Sequence, residues 1–149
     1  MRLVLDTNVV VSGLLHDRGP PAAVINAVLD DPTIVLLWDE RILEEYGEVL
    51  ARPKLGPNAQ AVRVLLDRVR HAGEHVTALR YEGSVTDEDD RPFLEVAITG
   101  RADILVTGNR RHFPLDGDVP SWLQIVSPRR LMVALFVRSI MRSIVPWEW

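Results

Sequence analysis

The chain has no cysteine, and this absence excludes both a disulfide framework and a thiolate metal site. It fits a reducing compartment, so we expect a cytoplasmic protein. No secretory leader is predicted, because Asp6 interrupts the first apolar run almost at once. Long hydrophobic runs are also missing: the stretch 131–137 is far shorter than a membrane span and is followed by Arg138. We therefore expect no membrane association.

Lysine is almost absent as well. The chain has 17 Lys and Arg residues against 21 Asp and Glu residues, a formal net charge of −4, and Lys54 is its only lysine. This balance excludes a uniformly basic surface for nucleic acid. The planar guanidinium group of arginine suits phosphate recognition, although scattered surface arginines are usually just solvated. Arginine content alone therefore assigns no function.

The pattern of apolar residues predicts an α/β fold. With 149 residues and 47% hydrophobic content, we expect one folded domain over 1–149. Short apolar runs alternate with segments of helical period, which is typical of a parallel sheet covered by helices. Strands are predicted at 1–5, 33–38, 75–79, 103–107 and 123–126. Helices are predicted at 22–29, 40–50, 59–72 and 92–99, with another helical pattern after Pro128.

Acids and amides recur where predicted strands end. Asp6 follows the first strand, Glu44 and Glu45 lie in the helix after the second, the run 87–90 precedes the helix before the fourth, and Asn109 follows the fourth. The carboxyl ends of parallel strands share one edge of the sheet, where ligands bind. Each element also has a structural explanation. The glutamates could line a solvated helix face, and the aspartates could simply favour a helix N-terminus.

Like charges brought together in this way destabilise a fold unless a cation relieves them. Mg²⁺ prefers oxygen ligands and is commonly held by one or two carboxylates together with a substrate phosphate. The chain has no cysteine and only 4 histidines, none of them in a spaced zinc pattern, so a hard metal is favoured over zinc.

Four stretches together resemble the PIN-domain (PilT N-terminal) family and, within it, toxins of the VapC type. They are LVLDTNVVVSGLL from Leu3, ILEEYGEVLARPKL from Ile42, DEDDRPFLEVAITGRADILVTGNRRHFP from Asp87 and IVSPRRLM from Ile125. They span nearly the whole chain in the family's order. The resemblance implies a three-layer α/β/α sandwich with a central parallel sheet. It also implies a Mg²⁺- or Mn²⁺-dependent ribonuclease held inactive by a cognate antitoxin.

The resemblance carries the family's acidic positions onto Asp6, Glu45 and Asp90, as catalytic residues and metal ligands. Many members have a fourth aspartate after a Thr-Gly pair, and here that position is Asn109. An amide oxygen still coordinates Mg²⁺ but brings no charge, so one metal contact is weakened. A second departure is Trp38-Asp39, where a serine is expected, and Asp39 can cap the following helix equally well.

These residues are consistent with hydrolysis of a phosphodiester by a water activated by one or two metal ions, leaving a 5′-phosphate and a 3′-hydroxyl. The resemblance implies that the phosphodiester is that of RNA. Thr7, Asn8 and Thr107 are expected to orient the carboxylates and waters. The group Arg110, Arg111 and His112 follows the site directly and could hold flanking phosphates, or could form a solvated loop.

Two other functions remain open. A haloacid-dehalogenase-like phosphatase also has a strand-end aspartate, but it needs a second acid two residues on, and position 8 is asparagine. A non-catalytic RNA-binding or partner-binding module on the same fold is permitted by Asn109.

The C-terminal segment 128–149 predicts an interaction helix. Its apolar residues recur at helical spacing, and the chain ends with the large aromatic residues Trp147 and Trp149, which are typical of interfaces. We expect this segment to contribute to a homo-oligomer, most simply a dimer, or to antitoxin binding. The alternative is that it folds back on its own domain.

Overall fold

A computed structural model of the chain describes residues 1–56, 58–114 and 118–144. A five-stranded sheet lies at its centre. The strands are β1 Arg2–Leu5, β2 Val35–Trp38, β3 Glu74–His75, β4 Ile104–Val106 and β5 Gln124–Val126. The helices are α1 Thr7–Leu15, α2 Pro20–Asp30, α3 Glu40–Leu50, α4 Ala59–Ala72, α5 Arg91–Thr99 and α6 Pro128–Ile144, and 3₁₀ turns cover Glu88–Asp90 and Arg110–His112.

The sheet has the order β3-β2-β1-β4-β5, and every neighbouring pair is parallel. The chain leaves β1 toward β2 and β3, and then returns across the sheet to β4 on the other side of β1. This reversal makes the carboxyl ends of β1 and β4 a topological switch point, which is the usual ligand site of an open α/β sheet.

The same reversal separates the helices into two layers. Crossover connections are right-handed, so α5, which leads from β3 back to β4, covers the face of the sheet opposite to the helices between β1 and β3. On that other face α2 packs against α1 and α6. The predicted three-layer α/β/α sandwich with a central parallel sheet is confirmed.

Buried apolar residues explain why these segments form the core. The central strand β1 buries Leu3, Val4 and Leu5 between the two layers, as expected for a strand of a covered parallel sheet. On α5, Phe93 and Leu94 are fully buried. The last helix, α6, is attached to the core through the buried Leu131.

Some element boundaries differ from the sequence-based predictions. Helix α1 is not predicted, because its valine-rich start has the composition of a strand. Strand β3 covers two residues rather than 75–79. The Val76 amide still donates to the carbonyl of Trp38, but the Leu79 amide donates to the Thr99 hydroxyl and not to the neighbouring strand. Helix α2 begins at Pro20, ahead of the predicted residue 22. Residues 145–149, including Trp147 and Trp149, lie outside the described residues.

Within the described part of the chain, no helix combines the length and the apolar character needed to cross a membrane.

Candidate active site

Asp6 lies at the switch point, between the ends of β1 and β4. Its backbone N–H continues the sheet by donating to the carbonyl of Val106 at 2.9 Å, and its carbonyl accepts from the first turn of α1. The hydroxyl of Thr107 donates to Asp6 Oδ2 at 2.7 Å. Next to this pair, the side-chain oxygen of Asn8 accepts from the Gly108 amide at 3.0 Å. These bonds fix the buried Asp6 carboxylate between the two strand ends.

Glu45 reaches the same edge from α3. The side chain of Asp39 caps this helix by accepting from the Ile42 amide at 3.0 Å. One residue past Glu45, the buried Tyr46 hydroxyl donates to the carbonyl of Leu5, the last residue of β1. That bond holds α3 against the end of β1. As a result Glu45 is half-buried beside Asp6, whereas its neighbour Glu44 is exposed.

Asp90 enters from the start of α5. It is the last residue of the 3₁₀ turn Glu88–Asp90, and Pro92 in the first turn of α5 favours a helix start there. Asp87 begins this turn by accepting from the Asp89 amide at 3.0 Å. The Asp90 side chain is only 12% exposed. The turn therefore places a buried carboxylate at the helix N-terminus, where the helix dipole favours negative charge.

The three carboxylates are close enough to perturb one another. Burial raises the pKa of Asp6, and the bond from Thr107 opposes that rise. Burial raises the pKa of Glu45, and the negative charge of Asp6 adds to the rise. Burial, followed by the charge of Asp6, raises the pKa of Asp90 to about 6. The ionised cluster therefore lacks sufficient positive charge, and a divalent cation would supply it.

A buried hydroxyl in the cluster supports a metal ligand set. The Thr7 hydroxyl is close enough to Glu45 to lower the pKa of that carboxyl, yet it is buried and makes no hydrogen bond of normal geometry with any described residue. Buried polar groups without a partner are rare, and an ion or ordered water commonly accounts for them. Three carboxylates beside an unsatisfied hydroxyl form an oxygen-rich set that suits Mg²⁺ or Mn²⁺.

His112 and Asn109 close the open side of the cluster. His112 Nδ1 lies 3.1 Å from Asp90 Oδ2, and its Nε2 lies 2.7 Å from the amide nitrogen of Asn109. A neutral imidazole with its proton on Nδ1 satisfies both contacts, because it donates to Asp90 and accepts from Asn109. The side-chain nitrogen of Asn109 is thus bonded to His112. The side-chain oxygen of Asn109 is therefore the atom that could bind a hard cation.

Among the described residues, the group whose potential ligand atoms all lie within 4.8 Å of one another is Asp87, Asp90 and His112, which shares only Asp90 with the three carboxylates above. Asp87 was not a predicted ligand, and His112 was predicted to bind phosphate. The position of His112 three residues after Asn109, in a short polar turn, is the one sequence feature that could have indicated this contact. Because imidazole nitrogen is a poor Mg²⁺ ligand, direct binding by His112 would favour a softer ion than Mg²⁺.

The predicted phosphate-binding group is divided by the structure. His112 turns inward to Asp90, and Arg110 Nη1 donates to the carbonyl of Pro114 at 3.2 Å. Arg111 is exposed. The three side chains of the 3₁₀ turn Arg110–His112 therefore lie in different surroundings.

An ion network that the sequence analysis missed joins α3 to α5. Arg41 lies one turn before Glu45, and its guanidinium group donates to Asp39 Oδ2 at 2.7 and 2.9 Å and to Glu95 Oε2 at 2.7 Å. Both carboxylates are buried. The network connects the helix that carries Glu45 with the helix that directly follows Asp90. It also borders an open groove of about 620 Å³, to which Arg80 and Arg91 contribute.

Comparisons with known proteins agree with this geometry. Over 113 residues the chain is 27% identical to an uncharacterized protein of Methanocaldococcus jannaschii, covering 74% of this chain and 72% of the relative. The fold is similar to a chain in the crystal structure of VapBC2 from Rickettsia felis bound to a DNA fragment from their promoter. That match has a TM-score of 0.54 and 16% identity, and it covers 85% of this chain and 98% of the other. The PIN domain family model matches residues 2–111, and the chain therefore belongs to the PIN-domain family.

Proposed function

We propose that this chain is a metal-dependent endoribonuclease. PIN domains are generally nucleases, and their usual cofactors are divalent metal ions. One observation carries the proposal for this chain: Asp6, Glu45 and Asp90 reach the switch point from separate elements, and all three carboxyl pKa values are raised there. Structural acids gain little from such an arrangement, whereas a metal-dependent nuclease requires it.

In this proposal Asp6, Glu45 and Asp90 hold Mg²⁺ or Mn²⁺, with the amide oxygen of Asn109 as a fourth, uncharged ligand. The bound ion would lower the pKa of a water and neutralise charge on the phosphodiester in the transition state. Thr107 orients Asp6 through its 2.7 Å hydrogen bond, and Asn8 fixes the neighbouring loop through the Gly108 amide. These groups restrict the Asp6 carboxylate and the loop beside it to one geometry before substrate arrives.

The substrate would approach along the same edge of the sheet. Arg111 is exposed directly after the cluster, and Arg80 and Arg91 line the groove beside Arg41. The groove also carries Asp39, Glu40, Glu88 and Glu95, and Arg41 and Arg91 are paired with acids there. The exposed Arg111 is therefore the first candidate to contact a phosphate backbone. Attack by water on the phosphorus would leave a 5′-phosphate and a 3′-hydroxyl.

We propose further that the chain is the cytoplasmic toxin of a toxin–antitoxin pair. The support is the family together with the fold likeness to a structure of VapBC2. Helix α6 supplies a candidate surface for the antitoxin. The apolar residues Val133, Phe136, Val137, Ile140, Met141 and Ile144 form one exposed stripe along it.

Charge favours the antitoxin over a second copy of the chain on this stripe. Helix α6 contains four arginines and no acid, so two copies of the helix would bring like charges together, whereas an acidic apolar segment would not. A homodimer through another surface remains part of the proposal.

The direct test is cleavage of a labelled RNA by purified protein in Mg²⁺, Mn²⁺ or EDTA. We expect cleavage with either metal, none in EDTA, and loss of at least two orders of magnitude in rate for Glu45→Gln. Glu44→Gln is the matched control, because it changes the adjacent but exposed carboxylate in the same way. Cleavage that persists in EDTA, or that falls equally in both variants, would refute the proposal.

The other two functions make different predictions. A partner-binding or RNA-binding module would bind RNA without cutting it, and Asp6→Asn would leave the toxicity of the expressed protein unchanged. For a haloacid-dehalogenase-like phosphatase, position 8 would have to supply an acid. Asn8 instead uses its side-chain oxygen to hold the Gly108 amide, which argues against this chemistry.

A further inference from the structure

A separate cavity of about 350 Å³ lies between α6, the end of α2 and the turn that precedes β2. Asp31 and Ile34, which line it, come before the start of β2, whereas Asp6 follows the end of β1. Since all strands are parallel, the cavity and the acid cluster lie at opposite edges of the sheet. The cavity is therefore independent of the candidate active site.

Two guanidinium groups converge at this cavity on a single acceptor. Arg138 Nη2 donates to the Thr33 hydroxyl at 3.2 Å, and Arg142 Nη2 donates to the same oxygen at 3.3 Å. The second guanidinium nitrogen of Arg138, Nη1, is buried and has no hydrogen-bond partner among the described residues. The Thr33 hydroxyl thus accepts hydrogen bonds from two cations, and within the described residues Arg138 Nη1 remains without an acceptor.

The nearest carboxylate does not resolve this imbalance. Asp31 Oδ1 accepts from the backbone and the hydroxyl of Thr33 at 2.8 and 2.6 Å. In the described part of the chain neither Arg138 nor Arg142 forms an ion pair with it. The bonds from Thr33 are the main cause that lowers the pKa of Asp31, and the charges of Arg142 and Arg138 lower it further. Two cations against one carboxylate leave a net positive charge at the cavity.

We propose that Arg138 and Arg142 form a binding site for a phosphate group. Two guanidinium groups that share one neutral hydroxyl and face a single carboxylate leave positive charge at the cavity, and a bound oxyanion would neutralise it. The planar fork of arginine matches two oxygens of a phosphate, and the cavity is large enough to admit one together with its ester group. The hydroxyl of Ser139, which also lines the cavity, is a further donor.

The opposite faces of α6 explain why this site is distinct from the apolar stripe. At about 100° per residue, Arg138 and Arg142 lie on the side of Leu131 and Leu135, which faces α2. The exposed stripe lies on the other side of the helix. The phosphate could belong to the backbone of RNA extending from the active site, or to a free small phosphate. The possibility that RNA supplies the phosphate rests on the proposed function, whereas binding of a free phosphate compound does not.

Inorganic phosphate is the probe for the site itself. The isotope-labelled protein is titrated with phosphate, against sodium chloride of equal ionic strength, and the amide signals of Thr33 and Ser139 are followed by NMR. We expect saturable shifts that give a Kd in the wild type, and a Kd at least tenfold weaker in Arg138→Ala/Arg142→Ala. The control Arg129→Ala/Arg130→Ala removes the same charge from exposed positions on the same helix and should leave the Kd unchanged.

If the alanine variant does not fold, Arg138→Lys/Arg142→Lys keeps the charge while removing the forks, and it should also weaken phosphate binding. The absence of saturable shifts in the wild type, or an equal Kd in the wild type and the Arg138/Arg142 variants, would overturn the proposal. None of these measurements requires RNA cleavage, so failure of the site and failure of the nuclease proposal are distinguishable.

A second arm identifies the source of the phosphate. Binding of labelled single-stranded RNA is measured by fluorescence anisotropy in EDTA over a range of salt concentrations. If RNA supplies the group, the Arg138→Ala/Arg142→Ala variant binds RNA more weakly and its salt dependence falls by about one phosphate contact. If RNA binding is unchanged while phosphate binding is lost, the site takes a free phosphate compound.

Discussion

Asp90 shows how a single buried carboxyl group makes the stability of the fold depend on pH. Its pKa is raised from an ordinary value near 4 to about 6 in the folded chain, so the folded state retains a proton that the unfolded state has already lost. Such a group contributes stability below pH 4, and this contribution disappears as the pH rises through 6. At neutral pH the ionised Asp90 carboxylate therefore destabilises the fold, first because it is buried and then because it lies near the charge of Asp6.

We expect the free energy of unfolding in EDTA to decrease between about pH 4 and 6, with Asp90 accounting for roughly 3 kcal/mol of that decrease. Urea unfolding of the wild type and of Asp90→Asn over this pH range measures the difference. The variant should be the more stable of the two at pH 7 in EDTA, yet gain less from Mg²⁺. A variant that is less stable than the wild type at pH 7 without metal would contradict this explanation.

Asn109 gives a second prediction at this scale. Asn109→Asp adds a charged oxygen at the fourth position, so we expect it to retain or tighten Mn²⁺ binding in calorimetric titration. The matched control is Asn8→Asp, which adds an acid nearby but keeps the oxygen that accepts from Gly108. Loss of binding in Asn109→Asp alone would show that the amide donor to His112 matters more than the ligand oxygen.

At the scale of elements, the Arg41 network keeps two helices in register. If Arg41 is removed, Asp39 and Glu95 remain as buried carboxylates without their partner, which should cost roughly 2–3 kcal/mol of stability. We expect Arg41→Ala to lower the melting temperature and also to weaken Mn²⁺ binding, because α3 carries Glu45 and α5 directly follows Asp90. Arg41→Lys should restore part of both effects.

Arg63→Ala removes an exposed arginine from α4 and should change neither property. If Arg41→Ala lowers stability while leaving the metal affinity as in the wild type, the network is purely structural. That result would remove the positioning role.

The next prediction concerns the exposed apolar stripe of α6, which is the proposed surface for the antitoxin. Phe136 and Ile144 are each 66% exposed, so Phe136→Ser/Ile144→Ser should change stability by no more than about 0.5 kcal/mol. The same change should abolish capture of the antitoxin in a pull-down with the coexpressed neighbouring gene product. Leu131→Ala, at a fully buried position, should instead cost about 2–5 kcal/mol.

A marked loss of stability in the Phe136/Ile144 variant would show that the stripe packs within its own chain. Loss of self-association, seen by light scattering, with antitoxin capture intact would assign the stripe to a second copy of the chain instead.

At the scale of the whole molecule, local signals explain which parts of the fold could be predicted. The predicted bounds of α3 and α4 match the structure because Asp39 and Asn58 cap them and Gly73 ends the second. Helix α1 was missed because its valine-rich sequence favours a strand, while the Asp6 carbonyl and tertiary packing make it helical.

The candidate site likewise has some features that the sequence predicts and others that it does not. The placement of acids at strand ends follows from parallel-sheet topology, so sequence reasoning could anticipate that Asp6 and Asp90 meet. The inward turn of His112 and the link from Arg41 to Glu95 join residues 22 and 54 positions apart, through contacts that no local pattern encodes. Sequence periodicity gives the face of an element, but it does not give the rotamer that a long-range partner selects.

The measurement that tests the central claim most directly is Mn²⁺ binding, followed by electron paramagnetic resonance of the free ion at pH 7. We predict saturable binding to the wild type and to Glu44→Gln, with affinity at least tenfold weaker in Asp6→Asn, Glu45→Gln and Asp90→Asn alike. A wild type that binds no Mn²⁺, or acid-cluster variants that bind it as tightly as the wild type, would contradict the claim that these three carboxylates form the metal centre of a nuclease.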